Sequence, residues 1–454
     1  MTTHDASAGT CHEAARTLPL LAEVDVMVAG GGPAGIAAAV CAARHGARTL
    51  LVERYGFLGG MGTAGGVTNF AGLYGKRGGE TVQLVHGIVD ELLARIDHLG
   101  GLNAPQDGLQ GRIRVRSYDI PAYKCAADQL MQAAGVRLLF HALVVGVSRD
   151  APGHLAAAIV ETKSGRGVVR ARWFIDASGD ADLAHHAGVP HELGDGHGDA
   201  LYPSTMFRVG GVDADRALAA IGSFGAIDAL MREAADRYQF PREGAIVRPQ
   251  RNRSEWRVNV TQVANAQGRA VDATDAWQLS AGEVEGRRQV IEYLRFLRAE
   301  VPGFERCELI DIGTQLGVRE TRRVHGAYRL SGDDVQHGAR FADTVGLNAW
   351  PIERHAAGRV EWAFPHDPDN SHNQLPWRML VPDGVANLLV AGRCASMTHE
   401  GQSAARASGA CFVMGQAAGT AAALMLSQGL STSSVVDALQ IALRRDGVDL
   451  GDAH

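Results

Sequence analysis

The chain has no pair of cysteines in C-x-x-C spacing. Its six, Cys11, Cys41, Cys125, Cys307, Cys394 and Cys411, are scattered. That excludes a dithiol redox motif and the usual zinc and iron–sulfur spacings, and leaves reduced thiols as the reading. No apolar run reaches the ~18 residues of a membrane span. Ala417–Leu426 is apolar but short and alanine-rich. The first 20 residues hold no apolar core of signal-peptide length and include His4 and Asp5, so a cytoplasmic protein without a secretory signal is expected. An excess of basic charge is also missing. Lys and Arg number 44 against 50 Asp and Glu, a net charge of −6. That argues against a nucleic-acid partner or an anionic membrane surface. No internal repeat or low-complexity tract interrupts the chain.

What is present is an ordinary globular composition, 46% hydrophobic and 21% charged over 454 residues, enough for two or three domains. Glycine is abundant, at 56 residues. Residues 24–53 read VDVMVAGGGPAGIAAAVCAARHGARTLLVE. An apolar strand, Val24–Ala29, leads into Gly30, Gly32 and Gly35 in G-x-G-x-x-G spacing. A small-residue helix follows to Arg44, then a strand from Arg48 to Val52 that delivers Glu53. The acid stands 18 residues after Gly35, close to the ~20 of a dinucleotide fingerprint. Gly30 allows the tight turn, Gly32 leaves room for a pyrophosphate, and Gly35 lets helix and strand approach. The pyrophosphate would rest on free N–H groups at the helix N-terminus, beside Pro33 and Ala34. Glu53 would accept from a ribose hydroxyl. No second copy is present: Gly210-Gly211 and Gly313–Gly317 lack the strand, spacing and terminal acid.

The rest of the chain alternates in composition. Residues 1–21 are expected to be a flexible tail. Apolar spacing predicts helices over Val82–Leu93, where Gly87 is an interruption, and over Pro121–Ala134. Strands are expected at Val136–Phe140, Ala142–Val147, Ala156–Thr162 and Gly167–Ala171. From about 201 to 375, aromatic, Asn and His content rises and helices lengthen, as at Glu283–Arg298. The composition of the N-terminal region returns at Met379 and ends in a small-residue helix, Ala404–Met425. The expected fold class is α/β. A discontinuous Rossmann-type cofactor domain would span 22–200 and 376–430, an inserted mixed α+β substrate domain 201–375, and a C-terminal helix and tail 431–454.

Four blocks carry a family resemblance: VAGGGPAGIAAA with Glu53, FLGGMGTAGG at 57–66, FIDASGDADLAHHAG at 174–188, and NLLVAGRCASMTHEGQSAARASGACFVMGQAAGTAAA at 387–423. GVRETRRVHGAYRLSGDDV at 317–335 adds a fifth. Together they resemble the FAD-dependent oxidoreductases of the glutathione-reductase-like fold, in the branch related to fumarate reductase and succinate dehydrogenase flavoproteins. The resemblance implies FAD as the cofactor. It assigns Gly30, Gly32, Pro33, Ala34, Gly35, Glu53 and Arg54 to the adenosine end. Gly59, Gly60 and Met61 would run beside the flavin. Ala177, Gly179 and Asp180 form the second motif, and Gly392, Gln402 and Gly409 belong to the C-terminal one.

The implied function is oxidation of a small organic substrate by hydride transfer to flavin N5. Reoxidation would be by oxygen, a quinone or a separate protein, since no nicotinamide domain is visible. A monooxygenase using external NAD(P)H is one alternative. A structural or non-redox use of FAD, in an isomerase, a hydratase or an RNA-modifying protein, is another. A flavin dehydrogenase needs a base near the substrate. His399 is the first candidate, since it falls between Gly392 and Arg406. Arg406 itself would stabilise charge on the reduced flavin. His366 and His372 lie in a polar loop just before the chain re-enters the cofactor domain. Their spacing is unspecific for a metal, and no metal is assigned. The Arg319–Arg323 run reads either as a grip on a carboxylate substrate or as a salt-bridged structural segment. Covalent attachment and the oligomeric state, a homo-oligomer included, stay open.

Overall fold

The computed structural model describes residues 11, 13–222, 227–244 and 246–451. Its largest sheet has seven strands. Six are β1 (Leu20–Ala29), β2 (Thr49–Val52), β3 (Arg137–Leu139), β4 (Leu143–Ala151), β5 (His154–Thr162) and β6 (Gly165–Asp176). They run in the order β3-β2-β1-β6-β5-β4, and the seventh strand, Leu388–Val390, pairs with β6. β1, β2, β3, Leu388–Val390 and the C-terminal half of β6 are mutually parallel. β4 and β5 form an antiparallel hairpin against the N-terminal half of β6. The fold is thus α/β with a mixed sheet. Val26–Ala29 is buried on both faces, which is why it reads as an unbroken apolar run and not as an alternation. Strand order reverses at β1, with β2 on one side and β6 on the other, so a crevice opens at its carboxyl end. Helix α1 (Pro33–Arg44) starts there.

Several elements differ from the sequence expectation. β1 begins at Leu20, inside the segment expected to be a tail; residues 1–10 and 12 of that segment lie outside the described residues. The helix expected over Val82–Leu93 runs from Ile88 to His98. Val82 instead sits in a short strand, Glu80–Gln83. Gly87, with φ +95°, is the residue before the helix and not a flaw within it.

A second, antiparallel sheet has its own core. It comprises β7 (Phe207–Gly210), β8 (Ile246–Pro249), β9 (Trp256–Asn259) and β10 (Glu308–Ile312), in the order β8-β9-β7-β10. Helix α2 (Ala276–Glu300), capped by Asp275, packs Val290, Tyr293, Phe296 and Leu297 against Val209, Val247, Trp256 and Val258. Side chains alternate faces along a strand. The residues between these apolar ones therefore emerge on the other face. Register puts Arg248 opposite Arg257, Arg257 opposite Arg208, and Arg208 opposite Asp311.

The chain then returns to the first sheet. The single helix expected over Ala404–Met425 is two, His399–Ala405 and α3 (Ser408–Gln428). Ala407 between them is extended, with ψ 152°. α3 crosses α1 closely, because a Cβ at Gly415 or Gly419 would strike Ala34 O or Ala38 O. It is long and apolar enough to span a membrane, but 94% of its apolar window is buried inside the protein. That makes it a core helix.

Candidate functional site

Gly30 adopts φ +98°, and a Cβ there would lie 2.5 Å from Ala177 O. Side chains rarely tolerate that φ, so the turn out of β1 demands glycine. A Cβ at Gly35 would strike Gly30 O, whereas one at Gly32 meets nothing nearer than Gly60 Cα at 3.7 Å. Two of the three glycines thus serve packing, and the third faces open space. No side chain caps the N-terminus of α1, so its first N–H groups stay available to an anion. Glu53, at the end of β2, is 5% exposed. Its Oε2 accepts from Gly31 N at 2.6 Å and its Oε1 from Tyr55 N at 2.9 Å. Burial raises the pKa of this carboxyl, and those two N–H groups pull it back.

Beside this turn lies Asp180. It accepts from Arg393 Nη2 at 2.7 Å, from Arg54 Nη1 at 3.2 Å and from Thr321 Oγ1 at 3.0 Å. Burial pushes its pKa up, but Arg393 and Arg54 overcome that and hold it below the ordinary value. Asp182, crowded by burial and by Asp180, is raised to about 6.

One cavity of about 1450 Å³ begins here. Of the residues the sequence pointed to, it is lined by Gly30, Gly32, Pro33, Ala34, Glu53, Arg54, Gly60, Met61, Ala177, Gly179, Gly392 and Arg406. Gly35, Gly59, Asp180, Gln402 and Gly409 stand behind the wall. Gly59 N donates to Gly31 O at 2.8 Å, and buried Gln402 donates to Arg319 O at 2.8 Å. Gly409 packs on Gly72 O. None of the three candidate histidines lines the cavity. His399 Nδ1 lies 3.0 Å from buried Glu320, the His366 ring packs on His337, and His372 Nδ1 lies 3.2 Å from Lys76 O. His399 was chosen because it lies near Gly392 in sequence; the turn at 393–398 carries its ring to Glu320 instead. The Arg319–Arg323 run divides: Arg319 faces the cavity, whereas Arg323 is buried on Glu320 and Glu192. Cys394 is buried against Asp176 O, and burial drives its pKa well up.

At its far end the cavity is lined by residues from the second sheet and from the hairpin Ile352–Ala356/Arg359–Ala363. Arg257, Arg248, Arg242 and Arg319 are each at most 6% exposed. With its amide oriented to satisfy its neighbours, Asn69 accepts from Arg257 Nη1 at 3.1 Å and Arg248 Nη2 at 3.2 Å. Arg257 Nη2 otherwise meets Met206 Sδ at 3.1 Å. Burial lowers Arg257 to about 10. Burial and the charge of Arg257 lower Arg248 to about 9. Burial, then Arg406, takes Arg319 well below its ordinary value.

Glu353 stands among these cations. It accepts from Trp350 Nε1 at 3.0 Å, lies 3.1 Å from His355 Nε2 and 3.7 Å from Arg406. Burial alone would raise it, but His355 and Arg406 hold it at about 2. Burial, then Arg319, pushes His355 well below 6.5, so the ring is neutral.

The sequence reading missed this end. Its signal was an arginine inside each of two short apolar strands, AIVRP and SEWRVNV. Only the strand register brings the two together.

An uncapped helix N-terminus, a glycine turn open at Gly32 and a buried acid after the second strand define a dinucleotide-binding enzyme of the α/β class. The residues fit FAD, since the chamber continues far beyond the turn. A family model described as FAD dependent oxidoreductase matches residues 25–443, and the chain belongs to that family. It is an FAD-dependent oxidoreductase. A search of curated proteins returns no match. Among solved structures, a geranylgeranyl bacteriochlorophyll reductase-like protein from Thermoplasma acidophilum is 13% identical, with TM-score 0.47, over 94% of this chain and 84% of that one. The p-nitrophenol 4-monooxygenase of Pseudomonas putida is 12% identical, with TM-score 0.45, over 92% and 84%. An aklavinone-11 hydroxylase solved with FAD and aklavinone is 14% identical, with TM-score 0.45, over 93% and 67%.

Proposed function

We propose that this protein is a dehydrogenase or oxidase that takes two electrons from a small organic substrate. One observation carries the reading: a single cavity joins the glycine turn to a second end lined by His355, buried arginines and aromatic rings. Its volume, about 1450 Å³, exceeds the ~300–1,000 Å³ of an ordinary ligand pocket. Cofactor and substrate therefore share one chamber. The Gly30–Gly32 turn and the start of α1 would hold the pyrophosphate of FAD, and Glu53 its ribose. Bound FAD supplies the two-electron acceptor. His355 meets the substrate as a neutral ring: Glu353 takes the hydrogen on Nε2, which leaves Nδ1 as a hydrogen-bond acceptor that orients a substrate O–H or N–H. Arg406 and Arg319 set the positive potential around that pair.

The order of the motifs supports a place in the glutathione-reductase-like class, near fumarate reductase and succinate dehydrogenase. In that reading 22–200 and 376–430 form a discontinuous cofactor domain and 201–375 its cover. The protein is cytoplasmic, and oxygen, a quinone or another protein reoxidises it. The test is anaerobic bleaching of the flavin across a panel of amines, hydroxy acids and carboxylates. Bleaching by an organic donor, slowed in His355→Gln, is expected. Bleaching by NADPH alone, with none by any organic donor, replaces this reading with a monooxygenase.

A further inference from the structure

We propose, on the reading above, that the far end of the cavity binds the carboxylate of an aromatic-bodied substrate, anchored by Arg257 and Arg319. Two other arginines that are largely or wholly buried, Arg208 and Arg323, are paired with acids. Arg208, in the same cross-strand row, meets Asp311 at 3.2 Å, Glu255 at 3.5 Å and Asp119 at 3.7 Å. Arg323 is buried against Glu320 and Glu192. Arg257, Arg319 and Arg242 are deeply buried too, yet among the described residues none of them forms an ion pair. Their hydrogen-bond partners are neutral. Arg257 has Asn69 and Met206 Sδ, and its Nε is buried without a hydrogen bond. Arg319 Nη1 donates to Tyr202 O at 2.7 Å and Ser204 Oγ at 2.8 Å. Arg242 donates to Val260 O and Asn259 O.

The nearby acids do not balance this charge. Glu353 is the acid whose charge reaches Arg257, Arg319 and Arg242, but it is one carboxylate for three cations and is already bound to His355, Trp350 and Arg406; Asp228 adds to it at Arg242. Like charges directly opposite on paired strands are unfavourable, and Arg248 stands directly opposite Arg257. A buried cation without a counter-ion costs several kcal/mol. Packing alone gives no reason to keep it, because an apolar side chain would fill the space better. An anion from solution removes the cost.

The cofactor's phosphates are not that anion. They belong at the glycine turn, where Arg54 and Arg393 already sit. The partners of Arg257 and Arg319 are on other elements. A planar carboxylate matches the planar guanidinium donors. The body of the ligand is set by the neighbouring wall. Trp350 meets Trp362 edge-on at 5.9 Å, and Trp362 stacks on Phe364 at 6.0 Å. Arg112 covers the Phe364 face at 3.4 Å, and Ile113 and Val115 complete the apolar patch.

The test is calorimetric titration of the FAD-loaded protein with benzoate, benzamide, succinate and phenyl phosphate, with flavin absorbance followed in parallel. Benzoate should bind at least about tenfold tighter than the other three. Arg257→Gln should weaken benzoate about 10- to 100-fold, at unchanged FAD content, and Arg257→Lys should restore part of it. Arg208→Gln should leave benzoate within about twofold. Benzamide binding as well as benzoate overturns the proposal without any variant. So does tighter binding of succinate or phenyl phosphate, or full benzoate affinity in Arg257→Gln. The redox reading fails separately: benzoate then binds through Arg257 while no organic donor bleaches the flavin.

Discussion

At the glycine end of the cavity, a carboxylate is held by backbone: Gly31 N and Tyr55 N both donate to Glu53. At the far end, Arg257 and Arg248 converge on one amide oxygen of Asn69. The first end offers backbone N–H groups and Glu53 at the turn, with Arg54 and Arg393 held on Asp180 beside it. The second offers several guanidinium groups with neutral partners. Backbone donors are fixed by a local turn and tolerate little change. Side-chain cations on a sheet face can be exchanged one at a time without altering the local turn at the other end.

The largest effect should come from breaking the glycine end alone. Gly32→Glu puts a side chain and a negative charge into the open space beside the α1 N-terminus. The FAD-to-protein ratio should fall more than about tenfold, while the melting temperature of the FAD-free protein stays near wild type. Retained yellow colour with bound FAD would falsify the assignment of that turn. In stability, as distinct from cofactor content, the largest effect is a contrast between two arginines. Arg323→Gln removes the cation beside buried Glu320, leaving it Leu201 N and His399, and should cost about 3–5 kcal/mol in denaturant unfolding. Arg257→Met removes a cation that has no carboxylate partner, so it should be neutral or stabilising. Equal losses in the two variants would make Arg257 a structural residue.

A smaller effect is carried by pH. The folded pKa of His355 is depressed, by burial and then by Arg319. Below pH 6.5 the unfolded ring binds a proton that the folded one refuses. Stability from this group is therefore full above pH 6.5 and falls as pH drops, by about 1.4 kcal/mol per unit. Glu353 works in the same direction at lower pH, between 4.5 and about 2. Other histidines share the direction, so the measurement is the difference in slope between wild type and His355→Gln from pH 6.5 to 5. An unchanged slope would remove His355 as a neutral buried ring. The smallest effect is expected at Glu53→Gln. It keeps one acceptor oxygen and should weaken FAD by about 0.5–1.5 kcal/mol, read by fluorescence titration.

The glycine-turn end of the cavity was legible because its parts lie within 24–53. A turn that needs positive φ selects glycine locally, and an acid after the second strand follows from strand length. Gly60, Met61, Ala177, Gly179 and Gly392 were equally readable, since each ends a strand or fills a glycine loop. The placement of the candidate histidines was not, since none of the three lines the cavity. His399, His366 and His372 were chosen by sequence distance to the expected flavin, and sequence distance says nothing about which way a ring turns. Arg406 was expected near the start of one long helix. It stands at a break between two, with Nη2 on Glu353 O at 3.2 Å.

Sequence alone determined that this chain carries one dinucleotide turn and belongs with FAD enzymes, because hydrogen-bonding turns and close helix–strand contacts select residues within a few positions of each other. Tertiary structure decided the rest. Arg257 meets Arg248 through strand register, and Asn69, Glu353 and His355 reach them from segments far away along the chain. A charge excess in a cavity exists only once those segments have folded together, so no single stretch of the sequence could announce it.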